Sequence, residues 1–551
     1  MPHLLHLSPA SPKSHPDTDW GGDLAEPQRL VSDKVLDAFA ELVGLIEKDD
    51  RLESFAEQVE RYAFQARTLH TSPVENALPP ALTFRPPEPE SSDSSVRFAF
   101  RVTDSGNGDF GETLAFASLS QLSRLLSSGQ LSPVELAELY LDRLASIGEK
   151  LTCVVTITED LGLQQAREAE QELVDGRSRG PLHGIPWGAK DLLATRGIPT
   201  TWGATPYRNQ QIDEDATVVT RLGDAGAALV AKLSMGSLAS GDQWFEGMTR
   251  NPWNQEEGSG GSSAGPGAAT AAGLVGFSIG TETHGSITNP SHRCGVSGLR
   301  PTFGRVSRAG SMALSYSLDK IGPMCRSAED CAAVFAAIAG ADERDSVARD
   351  APFTWPPEED RQLLIGIVEK EYEDIENEEE KQIDQAALDV LKDLGMGLRP
   401  VELPGVRTGI MLTIWVEAAA VFDDLSRSDD LDLLKEHDNS RWPEIFRAAR
   451  TVSAVDYVKA QQLRTQLVSD FCAAVSDVDA IVCPGTGDSS MTASNFTGHP
   501  SLTIPVGFVN GMPRAMTIVG HHWDEQTILE IGDAYQRATD WHCRRPPLDE
   551  S

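Results

Sequence analysis

The chain is short of positive charge. Its 551 residues carry 47 Lys and Arg against 83 Asp and Glu, a formal net charge of −36, and only 12 of the cations are lysine. Such a surface argues against a nucleic-acid partner, because phosphate contacts need clustered Lys and Arg. It also disfavours docking on anionic membranes. Cysteine is sparse and unpaired in pattern: seven residues (153, 294, 325, 331, 472, 483 and 543), an odd number, with no CxxC. In a chain of this length that reads as reduced thiols in a cytoplasmic protein, not as a disulfide framework. The opening Met-Pro-His-Leu-Leu-His-Leu-Ser-Pro lacks the basic region and apolar run of a secretory signal. Long apolar runs are missing too. Gly258 to Thr281 is uncharged over 24 residues, enough to span a bilayer, but it is built from Gly, Ser, Ala and Thr and would insert poorly. It is expected to be buried in protein. No HExxH or comparable spacing links His183, His284, His292 and the His521-His522 pair, so no metal or other cofactor is implied. His183 reads as a loop residue bonding nearby backbone, and His521-His522 as a turn pair.

What is present supports a large core: 40% of the residues are hydrophobic. Val35, Leu36, Phe39, Leu42, Val43 and Ile46 recur at helical spacing behind Ser32 as N-cap. Leu52, Phe55, Val59 and Tyr62 repeat the pattern after the Asp49-Asp50 break, giving a helical hairpin whose apolar faces need either a second protomer or the main body. Ser72 to Ser95 follow as a Pro- and Ser-rich strap. From Thr113 the patterns sharpen. Leu119, Leu122, Leu125 and Leu126 mark a helix closed by Gly129, and Ser132-Pro133-Val134-Glu135 opens the next with a capping box. Strands are expected at 154–157, 228–231, 364–368, 480–482, 502–504 and 516–519, helices at 215–222 and 525–537, and a long acidic segment at 369–392 whose run Glu369 to Glu380 reads as a solvated helix face. Strands alternating with helices indicate an α/β architecture around a largely buried sheet.

Three compact motifs carry chemistry. Gly258-Ser259-Gly260-Gly261-Ser262-Ser263-Ala264-Gly265 has the composition of a flexible linker, but a small-residue apolar stretch, Ala268 to Val275, follows at once. Gly280-Thr281-Glu282-Thr283-His284-Gly285-Ser286-Ile287 lies just beyond, and upstream Gly184-Ile185-Pro186-Trp187-Gly188-Ala189-Lys190-Asp191 ends an uncharged run on a lysine. With these motifs the chain resembles the amidase signature family. Lys190 falls on the lysine of Gly-Ile-Pro-x-x-x-Lys-Asp, Ser262 on the first serine of Gly-Gly-Ser-Ser-Gly-Gly, and Ser286 on the serine of Gly-Gly-Ser-Ile. The Ser262 to Ser286 interval of 24 residues is the family's usual one. Asn251-Pro252-Trp253-Asn254, Cys294-Gly295, Gly298-Leu299-Arg300-Pro301-Thr302, Ser317 to Pro323, Asn495 to Pro500 and Ile504 to Gly507 match as well. The likeness covers about Thr113 to Pro547.

The resemblance implies an α/β fold with a large central mixed β-sheet covered by helices on both faces, to which the helical hairpin adds an N-terminal extension. The chain then divides into residues 1–112, the helical hairpin extension and Pro- and Ser-rich linker, and a catalytic domain, 113–547. The resemblance also implies amide hydrolysis by a Ser–cis-Ser–Lys triad of Ser286, Ser262 and Lys190, with Gly261-Ser262 as the cis bond. Serine is inert at neutral pH unless something takes its proton, and a lysine can do so if burial lowers its pKa towards about 7–8. Ile185, Pro186, Trp187, Leu192 and Leu193 surround Lys190 in sequence and suit that desolvation. Ser286 is the expected nucleophile. The backbone N–H groups of Thr283, His284, Gly285 and Ser286 are the expected oxyanion donors.

Three residues depart from the family's Asp-Thr-Gly-Gly-Ser-Ile-Arg: Glu282, His284 and Thr288. The usual Asp–Arg pair cannot form as such, Glu282 needs another partner, and altered substrate choice is expected. Ala264 and Pro266 depart from the usual Gly-Gly-Ser after the paired serines. Gly261-Ser262-Ser263-Ala264-Gly265 also fits a nucleophile elbow with Ser263 as nucleophile, but the strand that should precede it is missing. Two further functions stay open: a glutaminase subunit of a tRNA-dependent amidotransferase, and a non-catalytic pseudo-amidase that binds ligands. The resemblance implies a funnel over Ser286 walled by about Val401 to Asp470, which offers Trp415, Phe422, Trp442, Phe446 and Tyr457, with Trp244 and Phe245 at the mouth, so the expected partner is a small-molecule amide with an apolar or aromatic acyl group. No nucleic acid or membrane partner is expected, and a homodimer is allowed.

Overall fold

The computed structural model describes residues 32–43, 52–70, 84–89, 94–101, 111–357, 361–438, 440–485 and 487–548. Ile46, the Asp49-Asp50 break and most of the Ser72–Ser95 strap lie outside them. An 11-stranded sheet organises the rest. From edge to edge it runs Gly397–Pro400, Leu364–Ile367, Ala480–Pro484, Met512–Gly520, Ser501–Val509, Ser297–Arg300, Lys320–Cys325, Phe277–Glu282, Pro186–Lys190, Ala228–Leu233 and Val154–Ile157. Antiparallel pairs fill the middle, parallel pairs flank them on both sides, and the edge pair of Ala228–Leu233 with Val154–Ile157 is again antiparallel, so the sheet is mixed as expected. Its central strands are buried along their whole length, which demands helices on both faces and explains why they read as continuous apolar or small-residue runs instead of alternating ones.

Local signals formed as the residues dictate. Ser132 caps the Pro133–Arg143 helix in a capping box with Glu135, and Gly129 takes a φ of +69° behind the Leu119–Ser127 helix. The 24-residue uncharged stretch is divided into a loop, the short helix Ala264–Ala271 and the strand Phe277–Glu282. That helix is buried at every residue. Small side chains are required there: a Cβ on Gly265 would stand 2.5 Å from Ser234 N and 2.7 Å from Cys153 O. Among the described residues no helix is long and apolar enough to cross a membrane.

The helices Asp33–Val43 and Leu52–His70 form where the periodicity placed them. The second docks on the main body: Phe55, Tyr62 and Leu69 are buried, and Tyr62 stacks on Trp415 at 6.4 Å. Thr68 Oγ1 accepts from Gly409 N at 3.1 Å. The exposed Val35 shows that the first helix is less covered.

This packing generates a prediction. Phe55→Ala should lower the unfolding free energy by about 3–5 kcal/mol in urea, the usual cost of emptying a buried aromatic site. A change below about 0.5 kcal/mol, the range of surface substitutions, would mean that the Leu52–His70 helix is not part of the core.

Candidate active site

Two neighbouring parallel strands carry the site on their C-terminal ends. Lys190 closes one and Glu282 the other, with Ala189 in register with Ile279. Strand ends of this kind leave room outside the sheet for loops that hold reactive groups. Ser262 and Ser263 enter from the turn before the buried Ala264–Ala271 helix, and Ser263 N donates to Ser286 O at 3.1 Å, tying that turn to the Ser286 loop. The Gly261-Ser262 bond is cis, as the resemblance implied. A Cβ on Gly261 would lie 1.9 Å from Gly241 O, so only glycine lets the two backbones approach. No strand leads into Gly261, which removes the nucleophile-elbow alternative.

Lys190 is fully buried, and its amine has oxygen neighbours only at short range. Nζ lies 2.9 Å from Ser262 Oγ, 3.0 Å from Ser263 Oγ, 3.0 Å from Thr281 Oγ1 and 3.4 Å from Thr281 O. Ser263 settles the direction of its own bond. Its hydroxyl donates to Thr281 O at 3.1 Å and accepts from Thr281 N at 3.1 Å, so it meets the lysine as an acceptor. An uncharged amine that donates to Ser263 and Thr281 has its lone pair left for the Ser262 hydroxyl. Burial supplies the uncharged amine, drawing Lys190 down from 10.5 to about 7 against the upward pull of Asp319 and Glu282. Exposure rises outwards through the three side chains, from 0% at Lys190 to 1% at Ser262 and 9% at Ser286. The amine is sheltered and Ser286 is the residue that solvent reaches.

The loop around Ser286 hangs on Glu282. Its Oε2 accepts from Ile287 N at 2.8 Å and Thr288 N at 2.9 Å, and from Thr288 Oγ1 at 3.1 Å. Its Oε1 accepts from Arg300 Nη1 at 2.7 Å and Asn495 Nδ2 at 2.8 Å. Arg300 is thus the partner that Glu282 lacked in sequence, reaching it from the Ser297–Arg300 strand, while Thr288 offers a hydroxyl where the family has a guanidinium. Burial pushes Glu282 upward, but Arg300 and Lys320 outweigh it and hold the carboxyl well below its ordinary range. Thr283 is fixed from the other side, donating through Oγ1 to Asp319 at 2.5 Å and accepting at its carbonyl from Lys320 at 3.3 Å. Gly285 adopts φ +82°, the turn geometry that points successive N–H groups into one concavity. The N–H groups of Thr283, Gly285 and Ser286 donate to no acceptor among the described residues. The His284 ring lies against Thr492 Oγ1 at 3.0 Å and Phe496, in the Asp488–Thr497 helix. Burial lowers its pKa to about 4.

Sequence reasoning gave no role to Thr281, Arg300, Lys320 and Asn495, and considered Ser263 only as the nucleophile of the discarded elbow. Asp191, next to Lys190, pairs with the equally buried Lys232 at 2.9 Å and accepts from Thr201 N at 2.8 Å, which anchors the strand end. The expected aromatic funnel needs correction. Trp415, Phe422, Trp442 and Phe446 are buried and packed on one another, and Trp442 Nε1 is spent on Ser237 O. Trp244 is buried too, its Nε1 donating to Thr152 O, and Tyr457 donates to Glu417. Apolar side chains at helical spacing satisfied the core first. The cavity beside the site, about 220 Å³, is lined instead by Leu192, Ala239, Thr281, Thr283, most of the segment from Arg308 to Ile321, and Arg344 and Asp345. His183 bonds Arg179 N, and His521 and His522 bond backbone carbonyls, as expected of loop and turn residues.

Comparison with known proteins gives the same picture. The family model described as Amidase matches residues 135–529. A glutamyl-tRNA(Gln) amidotransferase subunit from Roseiflexus sp. (strain RS-1) is 35% identical over 480 residues, 78% of this chain and 98% of that protein. Among solved structures, a peptide amidase complexed with chymostatin is 30% identical with a TM-score of 0.69, covering 79% of this chain and 99% of its own. An amidase family protein from Bacillus anthracis is 26% identical with a TM-score of 0.72, covering 80% of this chain and 94% of its own.

The Glu282–Arg300 pair yields a prediction that separates pairing from burial. Arg300→Met leaves a buried carboxylate short of its cation and should cost about 3–5 kcal/mol in urea unfolding, while Glu282→Gln/Arg300→Met together should regain most of that. Equal losses in the single and double variants would show that the pair itself carries no such weight.

Proposed function

The chain belongs to the amidase signature family, and we propose that it hydrolyses a carboxamide C–N bond through an acyl-enzyme on Ser286. The observation that carries this reading is the hydrogen-bond pattern of the buried Lys190 amine, 2.9 Å from Ser262 Oγ, which in its uncharged form turns its lone pair to that hydroxyl. Lys190 takes the proton of Ser262 as Ser262 takes that of Ser286, and Ser286 Oγ bonds to the substrate carbonyl carbon. The N–H groups of Thr283, His284, Gly285 and Ser286 receive the negative charge that develops on the carbonyl oxygen. A donor of this kind contributes about 3–4 kcal/mol in other acyl-transfer enzymes. The proton held by Lys190 returns through Ser262 to the amine as the C–N bond breaks, and water then releases the acid by the reverse relay. Retention of all three triad residues speaks against a pseudo-amidase.

The adjoining cavity supports a neutral apolar acyl group. Leu192, Met312, Leu314 and Ile321 line it beside the small Ala239, Ala309 and Ala313, and the exposed Tyr316 stands at its mouth. Its charged residues already have partners: Arg308 pairs with Asp345 at 2.9 Å and Arg344 with Glu214 at 2.5 Å, Asp319 accepts from Thr283 Oγ1 at 2.5 Å, and Lys320 donates to Asn495 Oδ1 at 2.9 Å. A charged substrate would have to compete with those bonds. The second reading, a glutaminase subunit of an amidotransferase, is favoured by the 35% identity to such a protein.

A product assay over aryl and alkyl amides, with glutamine included, tests both. The expected result is faster turnover of apolar amides than of glutamine, and loss of roughly a million-fold in kcat on Ser286→Ala. The base must be deprotonated to act, so kcat/KM should rise with pH through about 7 and level off above it. Preference for glutamine together with a co-purifying subunit would move the assignment to the amidotransferase. Turnover retained by Ser286→Ala would remove the acyl-enzyme.

A further inference from the structure

Behind the site, three donor side chains from distant parts of the chain converge: Cys472 from the Ala454–Val475 helix, His499 from the turn after the Asp488–Thr497 helix, and His522 from the turn after the Met512–Gly520 strand. One thiol or ring-nitrogen atom of each lies within 4.8 Å of the other two, and no other group of this kind occurs among the described residues. Cys472 Sγ is 3.8 Å from His499 Nε2, and the two imidazole rings face each other at 3.7 Å. His499 is buried, while Cys472 and His522 are partly exposed, so an ion has a way in.

Thr497 fixes both rings. Its hydroxyl donates to Ala493 O at 2.8 Å and therefore accepts, at 2.7 Å, from His499 Nδ1. Its carbonyl accepts from His522 Nε2 at 2.7 Å. The lone pairs then sit on His499 Nε2, the nitrogen beside Cys472, and on His522 Nδ1. Ring nitrogens oriented by a hydrogen bond on the opposite nitrogen are the usual second layer of a metal site. A thiol with two imidazoles suits a borderline-soft ion that prefers tetrahedral N/S ligands. Tetrahedral bonds of about 2.0–2.3 Å put ligand atoms about 3.3–3.8 Å apart, so the three need draw in by only about 1 Å.

We propose that Cys472, His499 and His522 form a site for Zn2+ or a similar transition-metal ion, with solvent as the fourth ligand. Binding breaks the Cys472 S–H bond and releases one proton to solvent as the metal–sulfur bond forms, and both imidazoles bind uncharged. The site reaches the catalytic loop through His499, whose carbonyl accepts from Arg300 Nη2 at 2.9 Å while Arg300 Nη1 holds Glu282.

Co2+ titration of the full chain tests this by absorption, without recourse to activity. Every sample carries Cys543→Ser, because the exposed Cys543 stands 3.4 Å from His542 and could offer a thiolate of its own. The expected result is a thiolate-to-cobalt charge-transfer band saturating at one equivalent and bleached by Zn2+. Cys472→Ser should abolish the band, and His522→Ala should weaken Co2+ binding by about tenfold or more, with near-ultraviolet circular dichroism unchanged in both. If either variant fails to fold, Cys472→Ala or His522→Gln replaces it. No band at stoichiometric Co2+, or a band that survives loss of Cys472, overturns the site.

Discussion

An amine whose pKa burial draws down to about 7 is the constraint on which the rest of this structure turns. Lys190 sits at the end of a central strand, wholly out of water, with four oxygen contacts and no carboxylate among them. Desolvation disfavours the charged form and hydroxyl neighbours do little to restore it. The nearby acid, Asp191, is held by Lys232 and Thr201 and is thereby diverted from Lys190. The small residues around 260–267 follow from the same need. They allow two serine hydroxyls to be brought onto the amine by a turn and helix that would otherwise clash with backbone.

A second layer keeps the outward serine in place. Glu282 gathers Arg300, Asn495, Thr288 and two backbone donors, so the Ser286 loop is bonded at both ends to groups from the middle of the sheet and from the Asp488–Thr497 helix. Charge is balanced locally here, although the chain as a whole carries −36. Part of that excess lies on solvated faces such as the Glu378–Asp393 helix, whose acidic first turn suits a helix N-terminus.

The ordered motifs made the strand–loop–helix frame and the positions of Lys190, Ser262 and Ser286 legible in the sequence. The mixed order of the sheet came only through the resemblance, because apolar runs do not say which strand lies beside which. Ser263 looked like a spare serine, since its role depends on Thr281 lying across from it in space. Arg300 was hidden for a similar reason: its partner is 18 residues away in sequence and on another strand. The aromatic stretch 415–446 misled because helical spacing of large apolar residues does not distinguish a core from a channel wall. Cys472, His499 and His522 could not be grouped by spacing, as they meet only where a helix end and two turns come together.

The most direct measurement is of the lysine itself. Titration of Lys190 by NMR, with 13C at its ε position and Lys190→Met to assign the signal, should show deprotonation near pH 7. A signal that keeps its charge to about pH 10, as an ordinary lysine does, would contradict the account, because a protonated amine has no lone pair to offer Ser262.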